Sequence, residues 1–232
     1  MESVHDHYRR QFREKILALK PKSVLDVGCG DGALIRFLQN QGVEATGLDT
    51  DPDSVEQLQS LGLDITQGRA ENLPMQGSSV DMVVSEFSLH HFEDFGAAVA
   101  DCMRVARKHV LFLDGWYDPT VASQNNACTF DRWMKSIDRK AGEIHNDVLS
   151  AGGIWEAVLG SGQTVDFQYE NWLQLMPMDQ AKFERLCDES LGKCADDPDV
   201  KRILIRLKAN IDRHGISEDG ALFAALSRQT EQ

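Results

Sequence analysis

Gly28-Cys-Gly30-Asp-Gly32 follows the apolar run Ser23-Val-Leu-Asp-Val27 and opens a helical pattern. In that setting glycines let a backbone turn tightly and approach a ligand that a Cβ would exclude. Gly28, Gly30 and Ala33 also satisfy the looser dinucleotide pattern G-x-G-x-x-G/A, and Asp49 lies about twenty residues on. Spacing alone therefore admits a nicotinamide cofactor. Asp26 tilts the choice: at the strand end ahead of the glycines its carboxylate would oppose a pyrophosphate and suits a ligand carrying an ammonium and a sulfonium. Asp49 offers two acceptor oxygens to two ribose hydroxyls in either case. The charges favour S-adenosylmethionine over NAD.

The elements around this loop alternate. A helical spacing over residues 7 to 20 (Tyr8, Phe12, Ile16, Leu19) stops at Pro21. Strand patterns follow at 23–27, 43–48, 63–66, 80–85 and 109–113, with helix patterns near 32–41, 52–61 and 94–107. Strands alternating with crossover helices imply a parallel sheet covered on both faces. From Asp118 to Gly162 the rhythm breaks, polar at first and then helical around Glu143 to Leu159. A strand at 164–173, helical sequence from Asp179 to His214 and a final strand at 221–227 complete the chain. Ligands in open α/β sheets bind beyond the carboxyl ends of the strands, where these late helical segments would build a substrate pocket.

Length and composition set the outer bounds. The 232 residues suit one α/β domain, with residues 1–116 as a cofactor-binding half and 117–232 as a substrate-specificity half with helical insertions. No apolar stretch approaches the roughly 18 residues a membrane span needs, and the N-terminus lacks the apolar core of a signal peptide, so a cytoplasmic location is expected. Cys29, Cys102, Cys128, Cys187 and Cys194 show no metal-ligand spacing, which suits free thiols and no structural metal. A net charge of -13 disfavours a nucleic-acid partner.

The segment Val24-Leu-Asp-Val-Gly-Cys-Gly-Asp-Gly32 resembles the first motif of the class I S-adenosylmethionine-dependent methyltransferases, in particular their small-molecule branch. Gly47-Leu-Asp49 resembles the second motif, Gly68-Arg-Ala-Glu-Asn-Leu-Pro74 the third and Asp81-Met-Val-Val-Ser-Glu-Phe-Ser-Leu-His-His-Phe92 the fourth. The resemblance covers residues 22 to about 114. It implies a Rossmann-like, doubly wound, seven-stranded and mostly parallel sheet with an antiparallel last strand, and helical additions after strands 5 and 6. It also implies methyl transfer to a small-molecule acceptor, with S-adenosyl-L-homocysteine as product. Gly28 and Gly30 would meet the methionine moiety and Asp49 the ribose, with Cys29 and Thr50 beside them. Ala70 and Glu71 would border the adenine, and Ser85 would lie beside the reacting centre. One position departs from the family: Arg69 stands where an aspartate commonly accepts from the adenine amino group, and a guanidinium cannot accept, so adenine recognition would rest on backbone groups or on Arg69 stacking against the ring.

Displacement from a sulfonium needs alignment, desolvation and, for a reluctant nucleophile, a base. His90 and His91, just after the fourth strand, are candidates for that base, with Glu86 a third; capping or packing at the next helix is their plainer role. Trp116, Tyr117, Trp133, Trp155 and Trp172 could wall an acceptor pocket, although core packing accounts for them more simply. His145 and Asp147 could face the site from the inserted helix, although a solvated helix face accounts for them more simply; His5-Asp-His7 reads as a poor chelator on a frayed end, and Tyr8 as a packing residue that could also fold over the cofactor as a lid. Three other functions stay open: a tRNA or protein methyltransferase, a nicotinamide dehydrogenase, and a non-catalytic S-adenosylmethionine-binding protein of the same fold.

Overall fold

The computed structural model describes residues 3–194 and 197–228. Its first helix, α1 (Val4–Ala18), starts where the Ser3 hydroxyl accepts from Asp6 N at 3.1 Å, and it buries Tyr8, Phe12 and Ile16. Then come β1 (Ser23–Val27), α2 (Ala33–Asn40), β2 (Glu44–Asp49), α3 (Pro52–Ser60) and β3 (Ile65–Gln67). The second half of the sheet brings β4 (Val80–Glu86), α4 (Phe95–Val105) and β5 (Ala106–Trp116). Beyond it lie α5 (Ala122–Lys140), α6 (Ala151–Gly160), β6 (Val165–Trp172), α7 (Gln180–Lys193), α8 (Pro198–His214) and β7 (Gly220–Arg228).

The seven strands run in the order β3-β2-β1-β4-β5-β7-β6. Four pairings, β1 with β2, β1 with β4, β2 with β3 and β4 with β5, are parallel. β7 runs against β5: Gly220 at its start lies by the Trp116 carbonyl, while Arg228 at its end donates to the Ala106 carbonyl at 3.1 Å. This is the expected sheet, antiparallel last strand included. All five residues of β1 are buried, as a central strand covered on both faces requires. Strand order reverses between β1 and β4, and the carboxyl ends of such a pair open into the crevice where doubly wound sheets hold ligands.

The chain divides into two compact units. One comprises Met1–Asp114, Leu149–Glu170 and Leu222–Gln232; the other comprises Gly115–Val148 and Asn171–Ala221. In the second, α5, α7 and α8 bury Phe130, Trp133, Phe183, Leu204 and Leu207 around one core. Phe130 stacks on Trp133 with centroids 5.7 Å apart, and the Trp133 indole donates to the Val200 carbonyl at 3.0 Å. Trp133→Ala should therefore cost about 3–5 kcal/mol, the usual range for deleting a buried aromatic, as a lowered urea midpoint.

The expectation for 118–162 needs correcting. Its polar part is the long helix α5, whereas 143–150 has no regular structure and helix resumes only at Ala151, where Ser150 caps Gly153 N at 3.1 Å. The polar look of α5 arises from buried polar side chains with internal partners. Gln124 donates to Ser217 Oγ and the Glu218 carbonyl, both at 2.6 Å, and Asn126 donates to the Gly215 carbonyl at 2.7 Å. Among the described residues no helix is long and apolar enough to cross a membrane.

Candidate functional site

The glycine loop is bound to the end of β2 on one side and to the segment after β4 on the other. Gly28 N and Cys29 N both donate to the Leu48 carbonyl, at 2.8 and 3.1 Å. Gly28 has φ +73°, and a Cβ placed there would lie 2.6 Å from Ser88 Cβ and Oγ. The Ser88 hydroxyl in turn donates to the Gly28 carbonyl at 2.8 Å. Gly30, at φ +51°, faces open space. The two glycines thus do different work: Gly28 admits Ser88, and Gly30 keeps the loop backbone bare. Asp49 accepts from Gly30 N at 2.8 Å and from Asp51 N at 3.1 Å, so it shapes the loop and retains acceptor lone pairs for a ligand. Thr50 beside it is exposed.

A cavity of about 830 Å³ opens against this loop, lined by Asp26, Gly28, Cys29 and Gly30, by Glu86 at the end of β4 with Phe87 and Ser88 beyond it, and by Arg9 and Arg13 of α1. Asp26 is 2% exposed, and its Oδ1 has no hydrogen-bond partner. Burial, reinforced by the nearby Glu86 charge, pushes its carboxyl well above the usual carboxylate range. Glu86 Oε1 pairs with Arg9 Nε at 3.1 Å and Arg13 Nη2 at 3.4 Å, while Oε2 is buried without a partner. Burial raises the Glu86 carboxyl too, against the pull of Arg13 and Arg9. The Cys29 thiol is pushed up to about 12 by burial and by Asp26, so it stays protonated and unreactive.

The ion pairs give a signed expectation. An ionised Glu86 depends on its guanidinium partners and a protonated one does not, so Arg13→Ala should lower thermal stability more at pH 8 than at pH 5. Equal losses at both pH values in a thermal-shift assay would mean that Arg13 only packs.

Residues 25–113 match the family model described as "Methyltransferase domain". That stretch, holding the glycine loop and the strands around it, is similar to this methyltransferase family. The chain is 31% identical over 109 residues to a malonyl-[acyl-carrier protein] O-methyltransferase of Pseudescherichia vulneris, covering 44% of this chain and 43% of that protein. Over 106 residues it is 34% identical to a ubiquinone biosynthesis O-methyltransferase of Hahella chejuensis, covering 43% of this chain and 44% of that one. The matched stretch thus spans less than half the length of either relative. In fold it is similar to the YcgJ protein of Bacillus subtilis, with a TM-score of 0.63 and 19% identity over 96% of this chain and all of that one.

The other expected site residues are distributed unevenly. Ser85 is fully buried and its hydroxyl has no partner; the cavity is lined instead by Glu86, on the opposite face of β4, and by Phe87 and Ser88 beyond it. Ala70 is buried, and Glu71 Oε1 accepts from the backbone of Glu93 and Asp94 at 2.6 and 3.2 Å, ahead of α4. Arg69 is exposed and paired with Glu93 at 2.5 Å and Glu71 at 3.5 Å. His90 and His91 lie in the short 3-10 helix Leu89–His91 after β4, with ring centroids 4.4 Å apart. His91 is exposed, whereas His90 Nδ1 lies 2.7 Å from Asp114 Oδ1 and its backbone N–H donates to Asp114 Oδ2 at 3.1 Å.

Tyr8 is 1% exposed, a core residue of α1 rather than a lid; the same helix reaches the cavity through Arg9 and Arg13. His5 packs edge-on against Phe87, Asp6 pairs with Ser3, and His7 bonds Arg10, so these three residues face different partners. His145 bonds Asp138 at 2.7 Å, and Asp147 pairs with Arg132 and Arg139 at 3.1 and 3.3 Å. Trp133 is core, Tyr117 packs against that core, and Trp155 is 38% exposed, stacked on Phe167. Trp116 and Trp172 are half-buried. Sequence reasoning missed Arg9, Arg13 and Asp114. The two arginines had a signal, an i,i+4 pair on the polar face of an amphipathic helix; Asp114 had only its place after an apolar strand.

Proposed function

We propose that this chain transfers a methyl group from S-adenosylmethionine to a small-molecule acceptor. The observation that carries the reading is the pairing of unlike charges in one cavity: Asp26 and Glu86 each bury an unpartnered carboxylate oxygen, with the guanidinium groups of Arg9 and Arg13 beside them. Such a set fits the ammonium and carboxylate of an amino acid and opposes a pyrophosphate. The cavity volume lies within the range of small-ligand sites.

When bound, the cofactor supplies an electrophilic methyl group on a sulfonium leaving group. Asp26 would hold its ammonium, the bare Gly28-Cys29-Gly30 backbone its methionine chain, and Asp49 with Thr50 its ribose. Ala70 and Glu71 would border the adenine, and Arg69 would stack on it. Glu86, His90 and His91 are the groups near the strand ends able to accept a proton, and Ser85 would act only through packing behind them. The name of the ubiquinone-biosynthesis relative supports a small acceptor, as does the charge of -13.

Calorimetry with S-adenosylhomocysteine and with NAD tests the cofactor: the first is expected to bind in the micromolar range and the second not at all. Binding of NAD alone overturns the reading. Release of S-adenosylhomocysteine with metabolite pools, set against release with tRNA or protein, tests the acceptor; activity confined to the macromolecules would refute a small acceptor.

A further inference from the structure

We propose that β6 is a dimer edge, pairing antiparallel with β6 of a second copy of this chain so that two sheets become one. β6 (Val165–Trp172) ends the sheet order, so one side of its backbone has no neighbouring strand among the described residues. Such an edge is a template for another strand, and sheets blunt it by keeping it short or by placing lysine or proline on it. The opposite edge, β3, is three residues long, whereas β6 has eight and holds neither lysine nor proline. Its side chains add apolar surface. Phe167 stacks on Trp155 of α6 with centroids 5.4 Å apart and on Tyr169 at 5.9 Å. This ladder stays open to solvent, with Trp155 38% and Tyr169 54% exposed. The three rings line a groove of about 660 Å³ together with Ala151 and Gly152, the small residues that open α6. The groove shares no residue with the cavity at the glycine loop.

Charge decides how the edge meets its copy. A two-fold dimer uses the same patch on both copies, and an antiparallel pair sets opposite residues on the same face of the sheet. The pairing is therefore centred on one residue, which lies opposite itself. Centring on Asp166 or Glu170 sets like carboxylates face to face, and centring on Gln168 sets Asp166 against Glu170 twice. Lys15 of α1 pairs with Glu170 at the surface, where screening leaves such a pair worth little. Phe167 and Tyr169 remain as centres. Either one then lies against its own copy as an aromatic pair, and the rings of the second copy fall on the face that carries the groove. Gln168 lies opposite Asp166 in the first register and opposite Glu170 in the second, where its amide can donate to the carboxylate. Both surviving registers thus set Gln168 against an acid.

Sedimentation equilibrium of the full chain tests the edge. The wild type is expected to dimerise with a micromolar Kd, and more tightly as sodium chloride is added, because salt screens the net charge of -13 on each copy. Gln168→Lys and Gln168→Glu should move Kd in opposite directions. Each substitution acts twice by symmetry, so Gln168→Lys should tighten the dimer about 2- to 30-fold and Gln168→Glu loosen it by a similar factor. Gln168 is exposed, so far-UV circular dichroism of both variants should match the wild type. Cysteine cross-linking locates the contact: under mild oxidation Phe167→Cys or Tyr169→Cys should give a covalent dimer beyond any formed by the wild type, and Gln168→Cys should not. A chain that stays monomeric into the hundred-micromolar range leaves the edge to some other partner and overturns the proposal. So do Gln168 variants that shift Kd the same way or not at all, and so does a cross-link obtained through Gln168→Cys alone.

Discussion

Replacing Asp26 with asparagine should weaken S-adenosylhomocysteine binding by about 10- to 100-fold while making the ligand-free protein more stable at neutral pH. The first effect follows from losing a charge-assisted hydrogen bond to the ligand ammonium, a contact of about 1.5–3 kcal/mol. The second follows from the direction of the pKa. Burial and Glu86 raise the folded-state carboxyl well above its unfolded value. As pH climbs out of the ordinary carboxylate range, the unfolded chain gives up this proton while the folded chain keeps it, so stability falls until the folded group ionises as well. Asp26→Asn removes that slope. The gap between variant and wild-type melting temperatures should therefore widen from pH 4 to pH 8, and a constant or reversed gap would contradict the assignment. Binding of the ligand ammonium should also expel the Asp26 proton, making the calorimetric enthalpy depend on the ionisation heat of the buffer.

Gly28→Ala is expected to destabilise the protein by about 2–5 kcal/mol, combining a left-handed φ that alanine adopts at a cost of ~1–2 kcal/mol with an overpacking cost of ~1–3 kcal/mol. The clash is specific, since the new Cβ would lie 2.6 Å from the Ser88 side chain. Adding Ser88→Gly should recover the clash share and leave the backbone share. Gly30→Ala, which meets nothing within 4 Å, should cost only the backbone share and chiefly impair ligand binding. Urea unfolding of the three variants separates these contributions. If Gly28→Ala matches Gly30→Ala in stability, the close approach of Ser88 to the loop is not what selects glycine there.

Much of the fold could be read along the chain. The apolar run 23–27 coincides with β1, and the pattern at 80–85 is extended by one residue in β4. Both are buried strands bounded by turn residues, so their signal is local. Helix α5 escaped because helical periodicity assumes that polar residues face water. Gln124, Asn126 and Lys135 do not: they are 0%, 7% and 2% exposed. Asp138, His145 and Lys193 show the same limit on the surface, where ion pairs at 2.7 and 2.5 Å tie a loop to two helices far apart in sequence.

The candidate site divides the same way. Sequence by itself determined that a glycine loop follows the first strand, that Asp26 precedes it and that Asp49 ends the second strand, because each depends only on residue type, local backbone geometry and strand spacing. Tertiary structure alone decided which charges share the cavity. Arg9 and Arg13 meet Glu86 because α1 lies against the segment after β4, and Gly28 admits Ser88 because β1 and β4 are neighbours across a gap of sixty residues in sequence. His90 meets Asp114 through the register of β4 on β5. Register also sets the roles of neighbours in one strand: successive side chains point to opposite faces, so Ser85 is buried while Glu86 lines the cavity.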